Sequence, residues 1–251
     1  MRQRPDPMPY PLRWRSNMFH APLVLLVTGI FGTAALVASL WAKTGRTQHR
    51  LAQAWARVCV RVSGAHLTIA GSENLGKYPV AVYVANHTSY MDTPVIFATL
   101  PFQFRILAKR ELWSMPFIGW YLARSGQIPV DTDNAQAAIS SLSGGVKALR
   151  AGMPLFVFPE GSRTPDGELR EFMAGAAYLA LRAHVPVVPI ALSGVYDLLP
   201  IHHGHLYPCN ITMAVGEPIE TTGMSVRGVD ELNQLVRARI GEMLSDNQCD
   251  R

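Results

Sequence analysis

The sequence predicts an α/β fold, a mixed and partly parallel sheet flanked by helices, led in by an N-terminal membrane-associated helical segment. Three patterns carry that expectation. From about residue 65 onward, short apolar runs rich in β-branched residues alternate with stretches of helical periodicity, as in βαβ units. Two of those runs end in polar clusters, and ligands of open α/β sheets bind at the carboxyl ends of strands. Near the N-terminus, residues 21–42 form an uncharged, apolar stretch between basic flanks.

The chain has 251 residues, enough for one catalytic domain with a substantial core. Residues 1–64 read as a membrane-anchoring helical region and residues 65–251 as the α/β domain. The first 16 residues hold four prolines and are expected to be loosely ordered. Residues 21–42, as a helix, reach about 33 Å, enough to cross a hydrocarbon core. Pro22, Gly29 and Gly32 also fit a bent insertion within one leaflet. No small-x-small cleavage site follows, so the segment reads as a retained anchor.

Residues 1–65 carry nine Lys or Arg against one acid, Asp6. A nucleic-acid-binding domain spreads its positive charge over the folded surface. Here the charge brackets an apolar segment, which points to an anionic membrane surface and not to nucleic acid. Lys and Arg on both sides of the segment leave the positive-inside rule undecided. The expected location is the inner (cytoplasmic) membrane, with the catalytic domain on its cytoplasmic side. Within residues 51–62, Leu51, Ala54, Trp55, Val58 and Val62 alternate with Arg50, Arg57 and Arg61. That pattern fits either an interfacial helix with snorkelling arginines or a helix packed on the core.

The expected strands are 66–70, 80–85, 104–108, 127–130, 155–158, 187–192 and 211–215. The expected helices are 90–100, 115–124, 134–150, 170–183 and 229–244. Asp133 or Asn134 caps the 134–150 helix, and Gly152 with Pro154 ends it. Cys59, Cys209 and Cys249 are scattered without metal or redox spacing, consistent with free thiols in a reducing compartment. His202, His203 and His205 share a polar loop; with no partnering ligand at suitable spacing, no metal is expected.

The chemistry concentrates in two clusters. Asn86-His87-Thr88-Ser89-Tyr90-Met91-Asp92 follows the 80–85 run. A histidine ordinarily titrates near neutrality and suits general-base work, and a carboxylate on its far nitrogen fixes its tautomer. Five residues along a continuous helix would set the two side chains on different faces. They meet only if His87 lies in the turn ahead of the helix, and Pro94, tolerated in a first turn, puts the helix start near 89–92. Ser89 reads as a cap, and backbone amides near 87–90 are candidates for holding an oxyanion.

The second cluster, Pro159-Glu160-Gly161-Ser162-Arg163-Thr164, follows the 155–158 run. Gly161 permits close backbone approach and Arg163 offers a planar fork for a phosphate. Glu160 is read either as the partner of Arg163 or as an acceptor for substrate hydroxyls. Lys109 and Arg110 are further candidate cations.

Together, Asn86-His87-x4-Asp92 and Phe158-Pro159-Glu160-Gly161-Ser162-Arg163 resemble the glycerolipid acyltransferases, most closely the bacterial 1-acyl-glycerol-3-phosphate acyltransferases. Residues 116–119 with 126–131, and residues 185–192, resemble two further blocks of that family in the same order. The family often carries an arginine after the second-block aspartate; Thr132 stands there here.

The resemblance implies acyl transfer from an acyl thioester to the free hydroxyl of 1-acyl-sn-glycerol 3-phosphate, giving phosphatidic acid. It implies His87 and Asp92 as catalytic residues, and Lys109, Glu160, Gly161, Ser162 and Arg163 in substrate binding. The implied partners are a membrane lipid acceptor and acyl-CoA or acyl carrier protein as donor substrate, with no cofactor. The alternatives are another lysolipid acceptor, such as a lyso-ornithine lipid, or hydrolysis of the thioester. No Gly-x-Ser-x-Gly elbow occurs, which argues against a serine hydrolase of the α/β type.

Overall fold

Seven strands form one sheet: β1 (His66–Ala70), β2 (Val82–Ala85), β3 (Arg105–Lys109), β4 (Ile128–Val130), β5 (Leu155–Val157), β6 (Val187–Ser193) and β7 (Asn210–Val215). The computed structural model describes residues 14–42, 45–115, 118–131, 135–201 and 204–249. The spatial order is β1-β7-β6-β2-β5-β3-β4. Five neighbours, β6, β2, β5, β3 and β4, run parallel. β7 lies antiparallel to β6 and carries β1 parallel to itself, so the sheet is mixed as expected.

The helices are α1 (Ala21–Ala38), α2 (Arg46–Val62), α3 (Asp92–Thr99), α4 (Ile118–Ser125), α5 (Ala135–Arg150), α6 (Gly175–Ala183), the short α7 (Val195–Leu198) and α8 (Val229–Cys249). Parallel strands are covered on both faces, and all four residues of β2 are buried. Alternation divides them. Tyr83 and Ala85 join Phe156, Ile190 and Leu192 in a core closed by α2 and α3. Val82 and Val84 join Leu155, Val157 and Ala191 in a second core closed by α5, α6 and α8.

This division sets the site. β2 is followed by α3 on one face of the sheet, and its neighbour β5 by α6 on the other. Two adjacent parallel strands whose continuations leave to opposite faces open a crevice at their carboxyl ends. The polar clusters that follow β2 and β5 both lie there.

Several boundaries differ from expectation, each for a local reason. The 170–183 helix begins only at Gly175, because Met173 N bonds back to Pro159 O and holds the preceding residues out of helical register. Of the two readings of residues 51–62, the core helix holds. α2 inserts Ala52, Ala56 and Val60 into the first core, and Gln53 Nε2 donates to Leu100 O at 2.8 Å, while Arg50, Arg57 and Arg61 face solvent. Ser16 is also ordered within the expected loose leader: it is buried, and its Oγ accepts from Leu206 N at 2.8 Å. The cap residues Asp133 and Asn134, together with His202, His203 and residues 1–13, lie outside the described residues.

α1, preceded by one π-helical turn at Ser16–His20, lies along α2. Trp55 Nε1 donates to Thr28 Oγ1 at 3.0 Å, and a His20 ring nitrogen meets Val62 O at 2.7 Å. The segment Ser16–Ala38 is long and apolar enough to cross a membrane, and little of it is buried by the protein. Leu25 is 72% exposed.

The residue after β2 ties the site to the sheet. Asn86 is buried, its Nδ2 donates to Leu192 O at 3.0 Å, and its Oδ1 accepts from Leu192 N at 2.8 Å. A side chain thus extends the β2–β6 ladder by one step. Asn86→Ala removes both bonds and leaves a buried N–H and C=O unpaired. We expect a loss of about 2–4 kcal/mol in the stability measured by urea unfolding.

Candidate active site

His87 and Asp92 meet. The His87 ring lies in the turn between β2 and α3, and its Nδ1 is 2.8 Å from Asp92 Oδ2. Asp92 is fully buried at the first position of α3. The same Oδ2 accepts from Thr88 N at 2.6 Å and Ser89 N at 2.8 Å. An oxygen that accepts three bonds on one side belongs to a carboxylate, so Nδ1 is the ring nitrogen that donates. The lone pair then sits on Nε2. The ring stacks on Phe158, with centroids 3.9 Å apart and planes 14° off parallel. One edge and one face are thereby occupied, and the His87 side chain keeps 12% exposure.

Ser89 is engaged within the turn. It is buried, its Oγ donates to Leu199 O at 2.8 Å and accepts from Met91 N at 3.1 Å, and so it braces the turn. The amides considered for an oxyanion are also engaged. His87 N goes to Glu160, and Thr88 N and Ser89 N go to Asp92.

Of the two readings of Glu160, pairing with Arg163 does not hold. Its Oε1 accepts from His87 N at 2.7 Å and its Oε2 from Arg170 N at 3.1 Å, so the carboxyl bridges two backbone segments and does not pair with Arg163. Burial pushes it up to about 7, against the pull of the two N–H bonds. Gly161 has φ 73°, which a side chain would strain, and Ser162 is exposed.

Arg163 Nε donates to Ser89 O at 3.3 Å, and its guanidinium carbon lies 4.1 Å over the Tyr90 ring. The cation is therefore held beside the His87 turn by an aromatic face and a carbonyl. Lys109 ends β3 and is exposed. β5 separates β3 from β2, which puts Lys109 on the same sheet edge about 10 Å from the β2 line. Arg110 is committed elsewhere, with Nε 2.6 Å from Asp131 Oδ1, and so is that second-block aspartate.

Sequence reasoning missed three participants. Phe158 had a legible signal: it shares strand parity with Phe156 and faces the same core. Asn86 and Arg170 had none, because their roles are backbone bonds made across the fold.

A family model described as acyltransferase matches residues 66–193, about half of the chain and all of the clusters above. The chain belongs to the acyltransferase family. Among relatives, 1-acyl-sn-glycerol-3-phosphate acyltransferase of Pseudomonas aeruginosa is 31% identical over 80% of this chain and 79% of its own. The Saccharomyces cerevisiae protein of the same name is 29% identical over 89% of this chain and 75% of its own. The crystal structure of the 1-acyl-sn-glycerophosphate (LPA) acyltransferase PlsC from Thermotoga maritima shares the fold, with a TM-score of 0.77 at 22% identity, covering 93% of this chain and 97% of that one. This acyltransferase thus has its His-Asp pair and its Glu-Gly-Ser-Arg turn inside the family region.

Glu160 titration links to stability with a definite sign. Its raised value means the folded enzyme holds a proton that the unfolded chain has already released between its ordinary value of 4.5 and about 7. Its contribution is therefore full below that window and declines as pH rises through it. Glu160→Gln stays neutral throughout. The difference in Tm between variant and parent is expected to move in the variant's favour from about pH 5 to about pH 8, then level off. A difference independent of pH would place the Glu160 titration outside that window.

Proposed function

We propose that this acyltransferase moves a fatty acyl chain from a thioester, acyl-CoA or acyl carrier protein, onto the free hydroxyl of 1-acyl-sn-glycerol 3-phosphate. The product is phosphatidic acid. The observation that carries this reading is the 2.8 Å contact between His87 Nδ1 and Asp92 Oδ2 at the mouth of the β2–β5 crevice. The names of the curated relatives support the acceptor.

In this reading His87 and Asp92 are the catalytic residues. Nε2 takes the proton from the acceptor hydroxyl as its oxygen attacks the thioester carbonyl. Asp92 stabilises the imidazolium through Nδ1–H. The attack forms the new C–O bond and a tetrahedral oxyanion. Collapse of that intermediate re-forms the carbonyl, breaks the C–S bond, and returns the proton from Nε2 to the leaving thiolate. No acyl-enzyme is needed.

Arg163, steadied over Tyr90, presents its terminal nitrogens to the acceptor phosphate, with Lys109 as a second cation along the same edge. Gly161 and Ser162 form the turn that brings Arg163 there. Glu160 acts on substrate only through the loops it joins. The exposed apolar segment Ser16–Ala38 and its basic flanks favour docking on an anionic membrane, where the lysolipid acceptor already resides. We place the enzyme on the cytoplasmic face of the inner membrane.

His87→Ala is expected to lower acceptor-dependent thiol release from acyl-CoA about 10³-fold while leaving Tm within a few degrees. Asp92→Ala is expected to lose as much activity but also to lower Tm, because it unpairs the Thr88 and Ser89 amides. Undiminished transfer by His87→Ala refutes the mechanism, and equally fast thiol release without acceptor favours thioester hydrolysis. For Arg163→Ala, the acceptor KM is expected to rise about tenfold with kcat nearly kept. A change confined to Tm would make Arg163 structural.

A further inference from the structure

Residues 165–174 run between the Glu160 turn and α6 without regular secondary structure, yet they are tied down on several sides. Met173 N closes the excursion on Pro159 O at 2.8 Å. Tyr196 OH donates to Pro165 O at 2.9 Å, and the Tyr196 ring lies where a Cβ on Gly167 would fall, 2.9 Å away. The firmest tie comes from α8. Arg237 Nε donates to Arg170 O at 3.0 Å, and its Nη2 donates to Leu169 O at 3.3 Å and lies 3.4 Å from a Glu171 carboxylate oxygen. One turn earlier, Asn233 Nδ2 reaches Phe172 O at 3.5 Å. Two side chains on one face of α8 thus hold three backbone carbonyls of the excursion, those of Leu169, Arg170 and Phe172.

This segment also carries the amide that meets Glu160. Arg170 N donates to Glu160 Oε2, and Glu160 Oε1 accepts from His87 N at 2.7 Å. The backbone on which the His87 ring is mounted is therefore connected to α8 through four successive groups: His87 N–H, the Glu160 carboxyl, the Arg170 peptide and the Arg237 guanidinium. Thr164 N donates to His87 O at 2.9 Å, so the carbonyl of the same residue is held from the turn just ahead of the excursion.

We propose that Arg237, assisted by Asn233, is a positioning residue for the catalytic histidine, setting the His87 backbone through the Leu169–Arg170 peptide and Glu160. The inference rests on the acyl-transfer reading for its kinetic consequence, not for its structural one. The planar guanidinium matters because one rigid group serves two adjacent carbonyls, which an ammonium does less well. When the clamp is removed, the Arg170 amide moves away from Oε2, solvent reaches the Glu160 carboxyl, and the His87 turn loses one of its two anchors. Displacements of this kind cost rate more than ground-state affinity, since proton transfer at Nε2 depends steeply on geometry while the Arg163 guanidinium keeps its own contacts with Tyr90 and the Ser89 carbonyl.

The test compares Arg237→Ala, Arg237→Lys and Asn233→Ala with Arg239→Ala, an exposed neighbour on α8 whose 3.7 Å contact with Glu242 does not touch the excursion. Backbone amide exchange at His87 and Arg170, read by NMR on the full chain, is expected to speed up at least tenfold in Arg237→Ala, with amides of β6 and α3 unchanged. Acyl-transfer kcat is expected to fall about tenfold with the acceptor KM within twofold, and Arg237→Lys to recover part of both effects. Arg239→Ala should match the parent. Normal exchange at both amides in Arg237→Ala overturns the proposal. Faster exchange with full kcat overturns its catalytic half, and exchange that rises everywhere identifies a structural role alone. Because the exchange readout needs no substrate, its result stands even if the acyl-transfer reading fails.

Discussion

One buried carboxylate oxygen organises the site. Asp92 Oδ2 accepts from a ring nitrogen of His87 and from the amides of Thr88 and Ser89, all at 2.8 Å or less. The two amides bend the chain into a turn just ahead of α3, and that turn carries the ring back over the carboxylate. Shape and chemistry therefore have one cause. A neutral side chain at position 92 would lose the bend together with the proton-holding partner. Position 92 is also the start of a helix, where partial positive charge from unpaired N–H groups favours an acid.

The sheet supplies the second condition. β2 and β5 are neighbours in space but lie some 70 residues apart in the chain, and their continuations leave to opposite faces. Only that arrangement lets the loop after β5 lie against the loop after β2. Phe158 then stacks on the imidazole, Glu160 holds the His87 amide, and Arg163 settles over Tyr90. A histidine mounted on a short turn would otherwise have wide freedom. Here it is fixed from the Asp92 side and from the Glu160 side, by partners belonging to different cores.

The membrane-facing part follows a different physics. α1 shares little contact with the protein beyond α2, and its outward apolar side chains have no partner in the fold. α2 reconciles the two environments: its small residues enter the core, while Trp55 reaches back to α1.

All seven strands were legible in the sequence, the buried central ones most plainly because a covered parallel strand announces itself as a short, β-branched apolar run, and each run matches a strand to within two residues. The His87–Asp92 contact was legible for a related reason: it closes over five residues, so local geometry and one proline decide it. The role of Glu160 was not. Its partners, His87 N and Arg170 N, are backbone groups with no residue identity to read, and they are brought near by the strand order. The Arg110–Asp131 pair was not legible either, because Asp131 arrives beside Arg110 from the end of β4 by way of the sheet. The chain by itself determined which segments are strands, which polar residues gather at the carboxyl ends of β2 and β5, and that histidine and aspartate meet. Tertiary structure decided which carboxylate holds which amide, since hydrogen bonds to the main chain depend on where segments lie and not on what they spell.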